Sequence, residues 1–238
     1  MIISESMKCR LALVDARCDA HLLSRLGEYA EELFLFRTQG VTYESVSCHP
    51  DVFLYQDSHT TLLAPNAPQA LAEKLASLSV PFRWGGSPVG ESLRDSSLYN
   101  CVSTDTCLFH RRGYTDEALL ALNRGKRFVG LPQSYTRCSM FPLSDHAFIT
   151  SDAGIHKALE RAGFASFLFS PAEIRIPVHA YGFLGGTCGR WGDQLFFLGN
   201  PLRHKDGEEL LRFVEANGLV PVSLSDDYLY DGGGVFFW

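Results

Sequence analysis

The chain has 238 residues, of which 46% are hydrophobic and 20% are charged, a balance typical of soluble globular proteins. Its net charge is −6 and its basic residues form no run longer than two, which excludes a nucleic-acid-binding protein with a basic stripe. No apolar run approaches the roughly 18 residues that a membrane helix needs. Charges within Met1–Arg10 interrupt any signal-peptide core, so we expect a cytoplasmic protein.

Seven cysteines and eight histidines are scattered through the chain. The odd number of cysteines predicts reduced thiols rather than a disulfide framework. The paired spacings typical of zinc sites are absent, so the sequence predicts no metal and no cofactor. Ligands gathered from distant segments are the alternative that this pattern leaves open.

The first predicted elements are the strand Leu11–Asp15, the helix His21–Tyr29 and the strand Leu33–Phe36. After them one pattern recurs, in which a short segment of small and polar residues, a turn and an apolar strand follow one another. The copies are Ser45–Tyr55, Asn100–His110, Thr136–Thr150 with its turn at Pro142–Asp145, Gly186–Leu198 with its turn at Trp191–Asp193, and the truncated Asp231–Trp238.

Amphipathic helices are predicted between the copies. They are Ala67–Leu78, Asp116–Asn123, Ala153–Ala162 and Asp206–Asn217, and the last three lead to strands at Arg127–Leu131, Ser166–Ser170 and Leu219–Ser223. Asp152 and Asp206 suit helix N-caps, and Gly163 and Gly218 suit the positions that follow a helix.

The pattern predicts one domain, 1–238, built from five modules that each combine a helix with strands. The N-terminal half unit, 11–36, completes the truncated last copy. A small module cannot bury its apolar face alone, so the modules are expected to stack around an axis. The predicted fold is a five-fold pseudo-symmetric α/β propeller with its helices outside. Small or polar residues would form its inner strands, and they are Ser45, Ser47, Ser103, Gly185, Gly186 and 232–234.

A propeller of this kind resembles the pentein superfamily, the fold of the guanidino-group-modifying enzymes. Gln133–Leu159 resembles the third module of the dimethylarginine dimethylaminohydrolases, where His-x-x-x-x-Cys-Ser-Met precedes a turn, an apolar strand and a helix. Val220–Asp231 resembles the approach to their final module. The combination of Gln-x-Tyr-x-x-Cys-Ser, Ile-Thr-Ser-Asp-x-Gly-Ile and Gly-Phe-Leu-Gly-Gly is similar to an uncharacterised bacterial family with this fold.

The resemblance implies covalent catalysis at the ring axis by a cysteine thiolate, with a histidine moving protons and carboxylates holding the guanidinium. In this chain the nucleophile's position falls on Phe236 or Phe237, the histidine's on Gln133 and a carboxylate's on Asn100. None of these side chains can replace the family's group. The sequence therefore argues against amidinotransferase, dimethylaminohydrolase or deiminase activity.

The site predicted instead is an axial pocket for a small polar metabolite. Its candidate ligand-binding residues are Asn100, Gln133, Tyr135, Arg137 and Asp231. Strand alternation would place Gln133, Tyr135 and Arg137 on one face. The fork-shaped guanidinium of Arg137 suits a carboxylate or a phosphate.

Two alternatives stay open. Cys188 is a candidate relocated nucleophile for a guanidino or amide-like substrate, because small neighbours would expose it and Arg190 would lower its pKa. The general base in that case would be His49 or His179. If Cys188 is instead structural, it is a small residue packed at the axis. In the second alternative, the aromatic C-terminus, 236–238, contacts a macromolecule instead of closing the ring.

Other polar motifs are predicted to be structural. Pro50 and Asp51 are typical of a turn between strands, which gives Cys48–Asp51 a structural interpretation although it holds a thiol, an imidazole and a carboxylate. Asp105 and Asp193 are predicted turn residues for the same reason. Gly182–Arg190 lacks the ending of a phosphate-binding loop, so its glycines are assigned to close packing.

Overall fold

A computed structural model describes residues 8–238 as five three-stranded sheets with helices between their strands. The strands are β1 (Cys9–Asp15), β2 (Ala30–Phe36), β3 (Leu54–Gln56), β4 (Thr61–Leu63), β5 (Arg83–Trp84), β6 (Val102–Ser103), β7 (Cys107–His110), β8 (Arg127–Gly130), β9 (Met140–Pro142), β10 (Ala147–Thr150), β11 (Ala165–Leu168), β12 (Cys188–Trp191), β13 (Gln194–Phe197), β14 (Val220–Ser223) and β15 (Phe236–Phe237). The α-helices are α1 (Ala20–Leu26), α2 (Pro50–Phe53), α3 (Gln69–Ser77), α4 (Glu117–Leu122), α5 (Thr136–Ser139), α6 (Ala153–Arg161) and α7 (Gly207–Ala216).

Every sheet has the same topology. A central strand pairs antiparallel with one neighbour and parallel with the other, and a helix connects the parallel pair. The sheet orders are β3-β4-β5, β6-β7-β8, β9-β10-β11, β12-β13-β14 and β15-β1-β2. The last sheet joins the two ends of the chain, as the predicted N-terminal half unit requires.

Most helices begin and end at the predicted signals. Asp152 accepts a hydrogen bond from the backbone of Ile155 in the first turn of α6, and Gly163 and Gly218 follow α6 and α7 with positive φ. Asp206 differs, because its carboxylate accepts a hydrogen bond from the backbone of Ser170 instead of capping α7.

The segments predicted as inner strands are mostly short helical turns. Glu44–Val46 and Gly185–Thr187 are 3-10 turns, α2 begins at Pro50, and only Ser103 lies in a strand. The predicted turn between strands at Pro50 is wrong, because proline lacks an N–H and fits the first position of a helix. As a result, α2, α5 and Gly185–Thr187 each lead directly into the first strand of a sheet.

Apolar strands and one face of each longer helix form the core, as in the edge-to-face cluster of Phe109, Phe148 and Phe164. Asp105 and Asp193 lie in hairpin turns, as predicted. No helix within 8–238 is long and apolar enough to cross a membrane. The interpretation of Met1–Arg10 depends largely on residues 1–7, which lie outside the described residues.

Candidate functional site

Six polar side chains from five separate segments meet in the interior, and we call them the central cluster. They are Asp15, His49, Asp51, Asn100, Cys138 and Asp231, and none is more than 2% exposed. Asp15 ends β1, His49 directly precedes α2, and Cys138 lies in α5. Because ionisable side chains are rarely buried completely without partners, their contacts decide what the cluster can do.

The thiol of Cys138 lies against a carboxylate. Its Sγ donates to Oδ2 of Asp51 over 2.8 Å, and Nδ2 of Asn100 approaches the same sulfur at 3.3 Å. Asn100 also fixes α5, because its Oδ1 accepts from the backbone N–H of Cys138. Burial, followed by the charge of Asp51, raises the pKa of Cys138 well above its ordinary value. Without a cation beside it, this thiol stays protonated.

The imidazole of His49 lies between two carboxylates that it does not hydrogen bond. Its Nε2 is 3.9 Å from Oδ2 of Asp15, and its Nδ1 is 3.8 Å from Oδ1 of Asp231. Neither ring nitrogen has a hydrogen-bond partner among the described residues. Burial and then the charge of Arg17 lower the pKa of His49 to about 3 against a smaller opposing effect of the Asp231 backbone, which lies too far or too poorly aligned for a full hydrogen bond, so the ring is neutral. An unpaired buried polar group costs about 1–3 kcal/mol, which makes this arrangement expensive unless something binds there.

The carboxylates of the cluster differ in the partners that balance their negative charge. Asp15 forms an ion pair with Arg17 at 2.8 Å. Burial raises the pKa of Asp51 to about 6, and its Oδ1 has no partner among residues 8–238. Burial also raises the pKa of Asp231 to about 7, although it accepts hydrogen bonds from the backbone of Phe183 and Gly233. Near neutral pH, Asp51 and Asp231 are therefore partly protonated.

Glycines let the backbone approach the cluster closely. A Cβ at Gly186 would overlap Oδ1 of Asp231, and one at Gly233 would crowd His49 and Asp51. Gly233 also has a φ of +70°, which favours glycine. The close packing predicted for these glycines is present, but it is packing against polar groups.

A separate open cavity of about 640 Å³ lies between the hairpin turns of several sheets, and we call it the hairpin cavity. It is lined by residues 56–61, 80–81, 101–105, 141–142, 144–145 and 190–192, together with the C-terminal 235–238. Its charged lining side chains are Asp57, Asp105, Asp145, Arg137 and Arg190. Burial alone would raise the pKa of Asp57, but hydrogen bonds from Tyr55 and from backbone N–H groups hold it below its ordinary value.

Arg137 links the two regions. Its guanidinium lies 4.8 Å from the ring centre of Phe141 and 5.3 Å from that of Phe236, and it donates to the carbonyls of Gly185 and Cys188. The side chain lines the hairpin cavity, whereas the next residue along the chain, Cys138, belongs to the central cluster. The two regions are therefore adjacent along the chain at Arg137 and Cys138, as they are at Cys101 and Asn100.

The structure separates the five residues predicted to share a pocket. Asn100 and Asp231 lie in the central cluster, and Arg137 lies in the wall of the hairpin cavity. Tyr135 instead pairs its hydroxyl with that of Ser96, and the amide of Gln133 contacts Asp152 and the backbone of Tyr135. Strand alternation fails here because α5 begins directly after Tyr135.

Cys188 does not have the surroundings of a nucleophile. It is fully buried, and burial raises its pKa to about 12. The expected exposure among small neighbours is wrong, because those neighbours allow the backbone to pack tightly around the sulfur. Arg190 donates to the carbonyls of Gly192 and Leu143.

Sequence reasoning missed Asp51 and Cys138 as site residues, and it named His49 only as a possible base for Cys188. Pro50 was the available signal for a helix here, because proline fits the first position of a helix. Asp51 was assigned to a turn, but its carboxylate binds the thiol of Cys138.

Comparison with known proteins agrees with this fold. Residues 13–236 match the model of a family of unknown function (DUF6873), and the chain belongs to that family. A comparison with curated proteins gives no match.

Several solved structures are similar over nearly the whole chain. An agmatine deiminase from C. jejuni is 8% identical with a TM-score of 0.59, and the match covers 94% of this chain and 89% of that one. SxtG, an amidinotransferase from Microseira wollei, is 8% identical with a TM-score of 0.53, and the match covers 93% of this chain and 90% of that one. A DDAH from Pseudomonas aeruginosa complexed with citrulline is 7% identical with a TM-score of 0.52, and the match covers 92% of this chain and 93% of that one. The likeness confirms the resemblance to the pentein fold and, at these identities, shows the fold alone.

Proposed function

We propose that this protein binds a small zwitterionic molecule in the hairpin cavity and lacks the Cys/His hydrolase chemistry of the enzymes that share its fold. The five sheets would form a closed propeller around the axis, with the helices outside. The observation that carries the proposal is that two guanidinium groups, those of Arg137 and Arg190, lie in the same open cavity as three aspartates.

The size and walls of the cavity suit a metabolite. Its volume of about 640 Å³ lies within the range of small-molecule sites. The half-buried ring of Trp238 supplies aromatic surface beside charged groups. Aromatic faces attract cations, and apolar stems pack against them.

The charges favour a ligand with both signs. A guanidinium has five N–H donors, of which Arg137 uses two on carbonyls, so three remain for a ligand carboxylate. Asp105 and Asp145 lie on the hairpin turns, where they would face a ligand's cationic end, whereas Asp57 already forms an ion pair with Lys126 at 3.4 Å. An amino-acid-like molecule combines these two groups.

The positions implied by the resemblance support the loss of the hydrolase chemistry. Phe236 and Phe237, which stand at the nucleophile's position, are buried in β15. Gln133, at the histidine's position, holds Asp152 and the start of α5. These side chains have structural partners and no acid–base role.

The two alternative functions have less support. A nucleophile at Cys188 would need access and a thiolate, and the residue has neither. A macromolecular contact patch would need exposed rings, but Phe236 and Phe237 are 4% and 5% exposed.

A binding screen tests the proposal. Thermal shift followed by calorimetry would compare arginine, methylated arginines and citrulline with agmatine, which lacks the carboxylate. We expect the amino acids to raise the melting temperature in a concentration-dependent way, and agmatine to have little effect. Because charged hydrogen bonds contribute about 1.5–3 kcal/mol, Arg137→Gln should weaken binding at least about 10-fold.

The matched control is Arg175→Gln, which removes an arginine outside the hairpin cavity and should leave the affinity unchanged. A flat response to every ligand would overturn the proposal. Equal binding of arginine and agmatine, or full affinity in Arg137→Gln, would also overturn it.

A further inference from the structure

The central cluster combines the ligand types of a transition-metal site. The ligand atoms of His49, Cys138 and Asp231 all lie within 4.8 Å of one another, and all three residues are buried. Imidazole nitrogen, thiolate sulfur and carboxylate oxygen together suit Zn²⁺, which accepts all three. The alternative left open by the sequence, ligands gathered from distant segments, is the arrangement found.

Unpartnered atoms point to an absent binding partner. His49 is fully buried with neither ring nitrogen hydrogen bonded to a described residue, and Oδ1 of Asp51 is in the same condition. Buried polar groups are normally paired, so two such residues in one cluster indicate a missing positive charge or donor. A cation satisfies the imidazole and the carboxylates together.

The spacing is close to that of a bound ion. Two ligand atoms about 2.0–2.3 Å from one zinc ion lie about 3.3–3.6 Å apart at a tetrahedral angle. Nδ1 of His49 and Oδ1 of Asp231 are 3.8 Å apart, and no pair in the trio exceeds 4.8 Å. A contraction of no more than about 1.5 Å in any pair brings the three atoms into coordination distance.

We propose that His49, Cys138 and Asp231 bind one Zn²⁺ ion. On binding, the Cys138 thiol and the protonated fraction of the Asp231 carboxyl release their protons to solvent, and the hydrogen bond from Cys138 to Asp51 is lost. One carboxylate, one thiolate and the neutral imidazole then face the dication.

The surrounding residues supply the second layer of such a site. Oδ2 of Asp15 lies 3.9 Å from Nε2 of His49 and is fixed by Arg17, so it is placed to accept that ring's N–H once Nδ1 binds zinc. Carboxylate–histidine–zinc arrangements of this kind orient the ring. Nδ2 of Asn100 donates to the sulfur, as second-layer groups do.

A loop covers one ligand of the cluster. Residues 169–184 contain no helix or named strand, and their last part covers Asp231, which accepts from the backbone N–H of Phe183. Gly182 packs directly on the side chain of Asp231.

Zinc titration tests the proposal independently of any ligand in the hairpin cavity. Untagged full-length protein, purified with EDTA and dialysed, is titrated with ZnCl₂ against a chromogenic chelator. We expect one tight site per chain. Loss of a second-layer group costs about 10–100-fold in metal affinity, so Cys138→Ser and His49→Gln, which remove direct ligands, should cost at least about 100-fold.

Cys188→Ser is the matched control, because it removes an equally buried thiol that lies outside the cluster, and it should keep the wild-type affinity. Cobalt(II) substitution gives a second readout. A thiolate-to-cobalt charge-transfer band should appear in the wild type and in Cys188→Ser, and it should be absent from Cys138→Ser.

The proposal is overturned if the wild type binds no stoichiometric zinc. It is also overturned if Cys138→Ser and His49→Gln bind zinc as tightly as the wild type. Circular dichroism checks that both variants fold. If they do not fold, the cobalt spectrum of the wild type decides alone, and absence of the charge-transfer band refutes the site.

Discussion

Two buried histidines, His110 and His49, differ in the hydrogen-bond partners of their ring nitrogens. Both rings are fully buried, and burial lowers the pKa of His110 to about 4 and that of His49 to about 3. His110 has a partner on each nitrogen, the hydroxyl of Thr115 at 2.7 Å and the carbonyl of Ser134 at 2.9 Å. His49 has none among the described residues.

The comparison distinguishes a structural histidine from a candidate binding residue. Both ring nitrogens of His110 are hydrogen bonded within the protein, which replaces the hydrogen bonds to water that the ring loses on burial. His110 therefore needs no further partner. His49 is also buried away from water, but the nearest carboxylates, those of Asp15 and Asp231, lie beyond hydrogen-bond distance. Its environment makes sense when another group, such as a metal ion, is bound.

The largest expected effect concerns the tight packing of the central cluster. In Gly186→Ala the new methyl group would overlap the buried carboxylate of Asp231, and we expect a loss of about 3 kcal/mol or more in the free energy of unfolding. Gly192→Ala, on the wall of the open hairpin cavity, meets no atom and should cost about 1 kcal/mol through its positive φ alone. Urea denaturation measures both, and equal losses would contradict the contrast between the regions.

The pH dependence of stability sharpens the role of His110. Its pKa is about 4 when folded and about 6.5 when unfolded, so between these values the unfolded chain binds more protons. The contribution of His110 to the free energy of unfolding is therefore full above pH 6.5 and decreases as the pH falls to about 4. The total loss over this range is up to about 3 kcal/mol.

The measurement compares the wild type with His110→Gln at several pH values. We expect the wild type's advantage to shrink across that window. His59→Gln, at an exposed histidine, is the control for titration of the unfolded chain. An advantage that does not change with pH would show that His110 is not held neutral by the fold.

The smallest expected effect is on the stability of the metal-free protein. His49→Leu replaces an unpaired buried ring by an apolar side chain of similar size, so in EDTA the free energy of unfolding should fall by no more than about 1 kcal/mol. His110→Leu leaves the partners of a paired ring unsatisfied and should cost about 2–3 kcal/mol. A larger loss for His49→Leu would mean that His49 is structural after all.

The architecture was predictable from local patterns because the longer helices and the apolar strands carry their own signals. The helix at Ala153–Arg161 shows its N-cap, its apolar face and its following glycine within a few residues. The half unit at the N-terminus followed from counting the copies, and β1 does pair with β15.

The central cluster was not predictable in the same way. His49, Cys138 and Asp231 are separated by about ninety residues each, and no periodicity connects them. A four-residue helix such as α5 is too short to show a helical period, so its residues were assigned strand alternation. Only the three-dimensional arrangement brings these side chains together.

An anomalous diffraction experiment at the zinc absorption edge tests the central claim most directly. Crystals of the full chain grown with one equivalent of ZnCl₂ should show a single strong peak between Nδ1 of His49, Sγ of Cys138 and the carboxylate of Asp231. Distances of about 2.3 Å to sulfur and about 2.0–2.2 Å to nitrogen and oxygen are expected. An anomalous map with no peak in the central cluster, or with peaks only at exposed histidines, would contradict the account.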